Sequence, residues 1–205
     1  MIATFFGSPG SGKGTQADLA AEAAGLSHVS TGGHFRREIH EDTALGREIR
    51  EVIEGGNLVS DRLVNRVVFG LLDGLSGVLL DGYPRNVSQA RSLDAFLEEQ
   101  GRRLDLALFL DVPEAEAMER LAGRRQCTAC GAPASHLDET CGACGAGLAR
   151  RNDDDPAVIH RRFVEYRRQT RPLEKYYHDR LAMVDGLGTV KQVHQRVLKA
   201  MEPWL

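Results

Sequence analysis

The chain has 205 residues, 42% hydrophobic and 27% charged, with 26 basic against 29 acidic side chains and a formal net charge of −3. That length is one large domain or two small ones, enough to bury roughly 70% of the surface its unfolded form exposes. The balance excludes a disordered chain and a strongly basic nucleic-acid binder, and no apolar run approaches the ~20 residues of a bilayer span. No cleaved leader is expected, because chemically meaningful residues begin at Gly7 with no charged region before them. The composition therefore predicts a soluble, cytoplasmic, globular protein.

Ile2–Phe6 predicts a short buried strand. The run GSPGSGKGT from Gly7 to Thr15 comes directly after it and opens a helix to about Ala24. His28–Ser30, Val78–Asp81, Leu106–Val112 and Ala182–Val184 predict further buried strands. Between them, Asp61–Leu72 puts Leu63, Val64, Val67, Val68, Leu71 and Leu72 on one helical face, with Ser60 as N-cap. Ser88–Gln100 carries the stripe Ala90, Leu93, Phe96 and Leu97. A further helix is expected over Pro156–Arg168, and a last one presents Val190, Val193, Val197, Leu198 and Met201. Such alternation implies a mostly parallel sheet covered by helices on both faces. The aromatics Phe5, Phe6, Phe69, Phe96 and Phe109 fall in these strands and stripes and are assigned to the core. The seven histidines, His28, His34, His40, His136, His160, His178 and His194, lack metal spacing and are assigned structural or surface places. No internal repeat or low-complexity tract is present.

The glycines between Gly7 and Thr15 let successive backbone N–H groups turn toward an anion. The helix N-terminus adds its positive end and Lys13 a mobile full charge, so phosphate binding is predicted here. Gly14 intervenes before Thr15, where the generic motif has Ser or Thr directly after the lysine.

From Arg125 to Gly147 no helical or strand period is visible. All four cysteines lie in this segment, as Cys127-x2-Cys130 and Cys141-x2-Cys144, each pair followed by glycine (Gly131, Gly145). Four thiolates at that spacing suit tetrahedral zinc, and predict that the segment is ordered; iron or cobalt also fits four thiolates. A disulfide pairing is disfavoured in a reducing compartment. A nucleic-acid ribbon is disfavoured because the intervening APASHLDET offers no basic or aromatic surface. With no open coordination position the metal would be structural. Basic residues divide as 22 Arg against 4 Lys, and ten of the arginines fall between Arg120 and Arg171. Planar forks of this kind collect where phosphates are gripped, although compositional bias would also raise the count.

GSPGSGKGTQA is followed in order by STGGHFRR (Ser30–Arg37), GNLVSDRLV (Gly56–Val64), LLDGYPRN (Leu79–Asn86), DVP (Asp111–Pro113), ERLAGRR (Glu119–Arg125) and RNDD (Arg151–Asp154). From Ile2 to about Gly188 this series resembles the nucleoside monophosphate kinases, most closely the adenylate kinase branch with a long, zinc-binding lid. The resemblance implies an α/β, P-loop three-layer fold with a central parallel five-stranded sheet, a helical NMP-binding insertion and a small zinc-bound lid. The core would comprise residues 1–29, 60–123 and 155–205, the NMP-binding region 30–59 and the lid 124–154.

It further implies transfer of the terminal phosphoryl of MgATP to AMP, giving two ADP, by a monomer without nucleic-acid or membrane partners. Gly10, Ser11, Gly12, Lys13, Gly14 and Thr15 would cradle the ATP phosphates. Arg120, Arg124 and the backbone at Gly188 would complete the ATP site, with Arg120 near the adenine. Thr31, Arg36, Asn57, Leu58, Val59, Gly82, Tyr83, Pro84, Arg85, Gln89, Arg151 and Arg162 would form the AMP site. Lys13, Arg85, Arg124, Arg151 and Arg162 would surround the moving phosphoryl, and Asp153 and Asp154 would orient the guanidiniums among them. Mg2+ is expected with the nucleotide, Thr15 and Asp81 being its neighbours, and Zn2+ at Cys127, Cys130, Cys141 and Cys144. Arg125, Arg150, Arg161, Arg167 and Arg168 are assigned to the surface.

Three features depart from the family pattern. Gly33 stands where Asp is common, His34-Phe35 replace an aliphatic pair, and the lid connection is short at ten residues with Ala132-Pro133-Ala134 in place of an aromatic. Pyrimidine monophosphate kinases share the motif set, and Asn86 is common in that branch. Thr31 and Gln89 favour AMP, since a glutamine amide can pair with the N1/N6 edge of adenine. A GTP-hydrolysing switch would want a guanine-reading Asn-Lys-x-Asp, which is absent, and a zinc-ribbon module would leave the remaining α/β sequence without a role.

Overall fold

The computed structural model describes residues 1–55 and 57–204; Gly56, which opens the GNLVSDRLV motif, and Leu205 lie outside the described residues. β1 (Ile2–Gly7) runs through the glycine-rich loop into α1 (Lys13–Ala24), and β2 (Ser27–Ser30) leads to α2 (Thr31–His40), α3 (Ala44–Glu54) and α4 (Asp61–Leu72). β3 (Val78–Asp81), α5 (Val87–Glu99), β4 (Leu106–Asp111) and α6 (Glu114–Gly123) come after these. Three short strands are next, β5 (Arg124–Cys127), β6 (Pro133–Ser135) and β7 (Leu148–Ala149). α7 (Pro156–Glu165), α8 (Leu173–Tyr176), β8 (Leu181–Asp185) and α9 (Val190–Met201) complete the chain.

The main sheet has five parallel strands in the order β2-β3-β1-β4-β8. Because side chains alternate along a strand, neighbours in sequence feed opposite layers. Phe5 packs with Leu79, Leu108, Val193 and Val197 on the face covered by α1 and α9. Phe6 packs with Leu80, Phe109, Val64 and Leu93 on the face covered by α4 and α5. Phe69 and Phe96 stack with ring centroids 4.2 Å apart at the rim of that second layer. All five aromatics thus sit where the hydrophobic pattern assigns them. Crossovers in such a sheet leave a crevice beyond the carboxyl ends of the strands, and the ends of β1, β3 and β4 open into it.

Several local features differ from the sequence-based expectation. The cysteine segment is not without strands: β5 pairs antiparallel with both β6 and β7. These strands run only two to four residues, too short for alternation to register. The helix expected over Pro156–Arg168 ends as an α-helix at Glu165 and continues as a π-helical turn, Tyr166–Thr170. Ser60 occupies the N-cap of α4, but its side chain accepts no capping hydrogen bond. The helices α2, α3, α6 and α8 add to those read from apolar spacing, and Ser30 Oγ caps α2 by accepting from the Gly33 amide.

Candidate active site

Between β1 and α1 the backbone takes two left-handed turns, at Gly10 (φ 82°) and Gly12 (φ 90°). A Cβ on Gly10 would also lie 2.2 Å from the Ala117 carbonyl oxygen, so no other residue fits there. The loop closes on itself through the Ser11 amide and the Ser8 carbonyl (3.2 Å), leaving the N-terminus of α1 free to face an anion. Arg120 braces it from outside. Its guanidinium donates to Glu116 (2.8 Å), to the Ser11 carbonyl (3.3 Å) and to the Gly186 carbonyl (3.1 Å), joining the loop to the exit of β8 two residues before Gly188.

Lys13 Nζ donates back to its own loop, to the Ser8 carbonyl (3.4 Å). Burial pulls its ammonium down to about 7, with Arg85, Arg162 and Arg124 adding to the shift and Asp81 opposing it. Burial and the neighbouring Arg151 lower Arg36 to about 9, and burial lowers Arg162 to about 10 against the pull of Asp153. The same burial lowers Arg85. Burial is the main cause of each shift, and the neighbouring cations add to it: Lys13, Arg36, Arg85, Arg124, Arg151 and Arg162 are gathered around Asp81, Asp153 and Asp154. A polyanion is what such a cluster lacks.

The short 3-10 turn Asn152–Asp154 holds the arginines in register. Asp153 takes Arg151 through Nε (2.9 Å) and Nη2 (2.7 Å). Asp154, fully buried, takes Arg124 at both edges (Nε 2.7 Å) and Arg162 at 3.0 Å. Despite its burial, Asp153 is held at about 2 by Arg151 and Arg162. Of the arginines assigned to the surface, Arg150, Arg161, Arg167 and Arg168 are exposed, whereas Arg125 is half-buried where β5 leaves α6. All four exposed ones still make defined contacts: Arg150 with the Asp154 carbonyl, Arg161 with the Gly55 carbonyl (2.8 Å), Arg167 with Glu114 (2.7 Å) and Arg168 with Glu165 (2.9 Å).

Asp81 ends β3 beside the phosphate loop. Its Oδ2 accepts from Ser30 Oγ (2.9 Å) and lies 3.9 Å from His28 Nε2, while its buried Oδ1 has no hydrogen-bond partner among the described residues. An unfilled carboxylate oxygen at this position fits a hydrated Mg2+ carried by nucleotide phosphates. His28 therefore borders the site, although its sequence context assigns it only a structural or surface place.

A pocket beside the cluster is lined by Thr31, Arg36, Asn57, Leu58, Val59, Gly82, Arg85, Gln89, Arg151 and Arg162. Phe35, Ile53 and Val64 complete its apolar wall. Ile53 and Val64 escape sequence reasoning as site residues, because nothing in their spacing separates them from core residues, whereas Phe35 falls in the His34-Phe35 departure from the family pattern. Thr31 Oγ1 is buried there without a partner among the described residues. Tyr83 and Pro84 do not line it. They shape the loop instead, through a cis peptide between them and a bond from Thr4 Oγ1 to the Tyr83 carbonyl (2.6 Å). Gln89 is already engaged: its Oε1 accepts from the Arg85 amide (2.8 Å) and its Nε2 donates to Asp61 (2.8 Å). One N–H and one lone pair of that amide remain for a ligand. Asn86 caps α5 by accepting from the Gln89 amide (2.8 Å) and donates to Asp61 (2.9 Å), so its role here is to build the loop.

Beside the small sheet of β5, β6 and β7, the four Sγ atoms of Cys127, Cys130, Cys141 and Cys144 lie within 4.8 Å of one another, with separations of 3.4 to 3.6 Å between three of the pairs. A tetrahedron of Zn–S bonds has S···S edges of about 3.8 Å, and a disulfide would need about 2 Å. The thiols are free, and their geometry fits a four-thiolate metal site. The Cys130 amide, and then the Ala129 amide, donate to Cys127 Sγ (3.4 Å each) and lower that thiol, whereas Cys130, despite the Ala132 amide, is pushed up by hydrogen bonding among the crowded sulfurs.

A family model described as adenylate kinase matches residues 5–182. Similar proteins named adenylate kinase include that of Clostridium botulinum strain Eklund 17B, 39% identical with 98% of this chain and 99% of the relative covered. That of Anaeromyxobacter dehalogenans is 41% identical, with 92% and 94% covered, and that of Streptomyces avermitilis 38%, with 98% and 97% covered. The glycine loop, the arginine cluster and the adjoining pocket, together with a match over nearly the whole length, make this chain a member of the adenylate kinase family.

Proposed function

We propose that the chain transfers the terminal phosphoryl of MgATP to AMP, reversibly giving two ADP, with the cation cluster between two facing nucleotide sites as the catalytic apparatus. The observation that carries this reading is the surplus of half-buried cations between the phosphate loop and the pocket of Thr31 and Gln89. Phosphoryl transfer spreads charge over the moving group, so catalysis is mainly alignment and cationic stabilisation. The acceptor phosphate is ionised near neutral pH, and no general base is needed.

In this reading Gly10, Ser11, Gly12, Lys13, Gly14 and Thr15 hold the ATP phosphates, while Arg120 and the Gly188 backbone border the adenine. Thr31, Arg36, the Asn57–Val59 stretch, Gly82, Arg85 and Gln89 hold AMP, with Tyr83 and Pro84 shaping its loop. Lys13, Arg85, Arg124, Arg151 and Arg162 converge on the phosphoryl. Thr15 and Asp81 are the residues that would receive Mg2+, which would supply charge neutralisation to the nucleotide phosphates. Zn2+ at the four cysteines would stiffen the lid, which excludes water as a competing acceptor. Residues 30–59 act as the NMP-binding region, 124–154 as the lid and the rest as the core. A monomer in the reducing cytoplasm suits the four free thiols.

The pyrimidine reading loses its pointer, since Asn86 is used in capping and does not line the pocket. Initial rates with ATP and each of AMP, CMP, UMP and GMP test the assignment. AMP should give the highest kcat/KM, and a higher value with CMP or UMP would overturn it.

A further inference from the structure

Arg85 is held at three points. Its amide donates to Gln89 Oε1 (2.8 Å), its Nε to the Gly82 carbonyl (3.0 Å), and its own carbonyl accepts from Thr170 Oγ1 (2.8 Å). The first two partners belong to the same loop and the helix after it. Thr170 comes from elsewhere: it is buried, 85 residues away in sequence, and ends the π-helical turn that extends α7. The turn is closed by the Arg171 amide on the Tyr166 carbonyl (3.0 Å), an i to i+5 bond. A π-turn wedges one extra residue into a helix, which rotates the face presented by the residues beyond it by about 100°. Arg162 lies eight positions before Thr170 on the same continuous helical segment. The wedge lets that segment aim Arg162 at Asp154 and still bring Thr170 to the Arg85 loop.

We propose that Thr170 is a positioning residue for phosphoryl transfer: its hydroxyl ties the loop carrying Arg85 to the helix carrying Arg162, so that two guanidiniums from distant parts of the chain meet the same phosphoryl group. The role rests on the transfer reaction proposed above. Small displacements of a catalytic group cost far more in turnover than in ground-state binding, so the effect belongs in kcat. It also belongs to Arg85, and must vanish when Arg85 is absent.

Thr170→Val removes the hydroxyl at constant shape, Thr170→Ser keeps it, and each is made with and without Arg85→Ala. Thr170→Val should lower kcat about tenfold at saturating ATP and AMP, with KM for ATP within about twofold of wild type. Thr170→Ser should return kcat to within about twofold, and in the Arg85→Ala background Thr170→Val should change kcat by less than about twofold. If the valine variant lacks a native circular dichroism spectrum, Thr170→Ala takes its place in the same cycle. Wild-type turnover in the hydroxyl-less variant, a serine variant as slow as the valine one, or an undiminished loss on top of Arg85→Ala would each overturn the role. A wild-type protein without ATP–AMP transfer would overturn this proposal together with the reading beneath it, whereas those three results overturn Thr170 alone.

Discussion

Replacing Asp154 with Asn removes one negative charge from the middle of the cation cluster at nearly constant volume. Asp154 is fully buried and bonds both Arg124 (Nε 2.7 Å) and Arg162 (3.0 Å), whose side chains keep 24% and 19% exposure. Breaking a fully buried pair costs about 3–5 kcal/mol, and the partial solvation of both arginines brings the cost here to about 2–3 kcal/mol. For a chain of this size each kcal/mol lowers Tm by about 2–4 °C, so the variant should melt about 4–12 °C below wild type. Saturating nucleotide should recover part of that loss, because phosphate oxygens replace the missing carboxylate. Turnover should fall by about 100-fold, since two guanidiniums lose the group that aims them, while KM for ATP stays within a few-fold. Differential scanning fluorimetry with and without ADP, and a coupled assay of ADP formation, read these effects. A Tm within about 1–2 °C of wild type together with kcat within about threefold would refute the idea that Asp154 organises the cluster.

The lid carries almost no apolar side chains of its own, and Leu137 is 80% exposed, so burial cannot offset the entropy of ordering it. Chelation, or Cys141→Ser, should therefore lower Tm and loosen the lid while transfer persists at low temperature. Complete loss of activity in protein whose circular dichroism remains native would instead place the metal site in catalysis, and an unchanged Tm with no metal by elemental analysis would exclude a metal site. Lys13, lowered by burial to about 7 in the free protein, regains its proton beside bound phosphates. Nucleotide binding should thus take up protons above about pH 7 and weaken as pH rises toward about 9, measured by calorimetry at about pH 8 in buffers of different ionisation enthalpy. Binding without proton uptake in that range would refute the assignment.

The phosphate loop and the cysteine knuckles are legible in the sequence because their chemistry is set by residues close together along the chain. The glycines that permit Gly10 and Gly12 to take positive φ, and the paired Cys-x2-Cys spacing, need no tertiary information. The central strands are legible for a related reason: strands buried on both faces appear as unbroken apolar runs. The strands around the knuckles are hidden by their brevity and α2 by a polar, glycine-containing sequence, whereas α3 carries a regular apolar stripe, Leu45, Ile49, Val52 and Ile53, that is legible at helical spacing. The engagement of Gln89 by Asp61, the apolar wall from Phe35, and the contact of Thr170 with Arg85 depend on which elements meet in space. The π-turn in particular is a change of helical register, which apolar spacing over five residues cannot express.

The central claim is that arginines perform the transfer by stabilising its transition state, and Arg85→Ala tests it most directly. Arg85 stands between the phosphate loop and the acceptor pocket, and among the described residues its guanidinium makes one hydrogen bond, to the Gly82 carbonyl of its own loop. Steady-state kcat and KM for ATP and AMP, measured on protein with a native circular dichroism spectrum, should show kcat reduced by about 100-fold or more and both KM values changed far less. Near-normal kcat with a raised KM for AMP would contradict the account, because Arg85 would then bind the acceptor without acting on the phosphoryl.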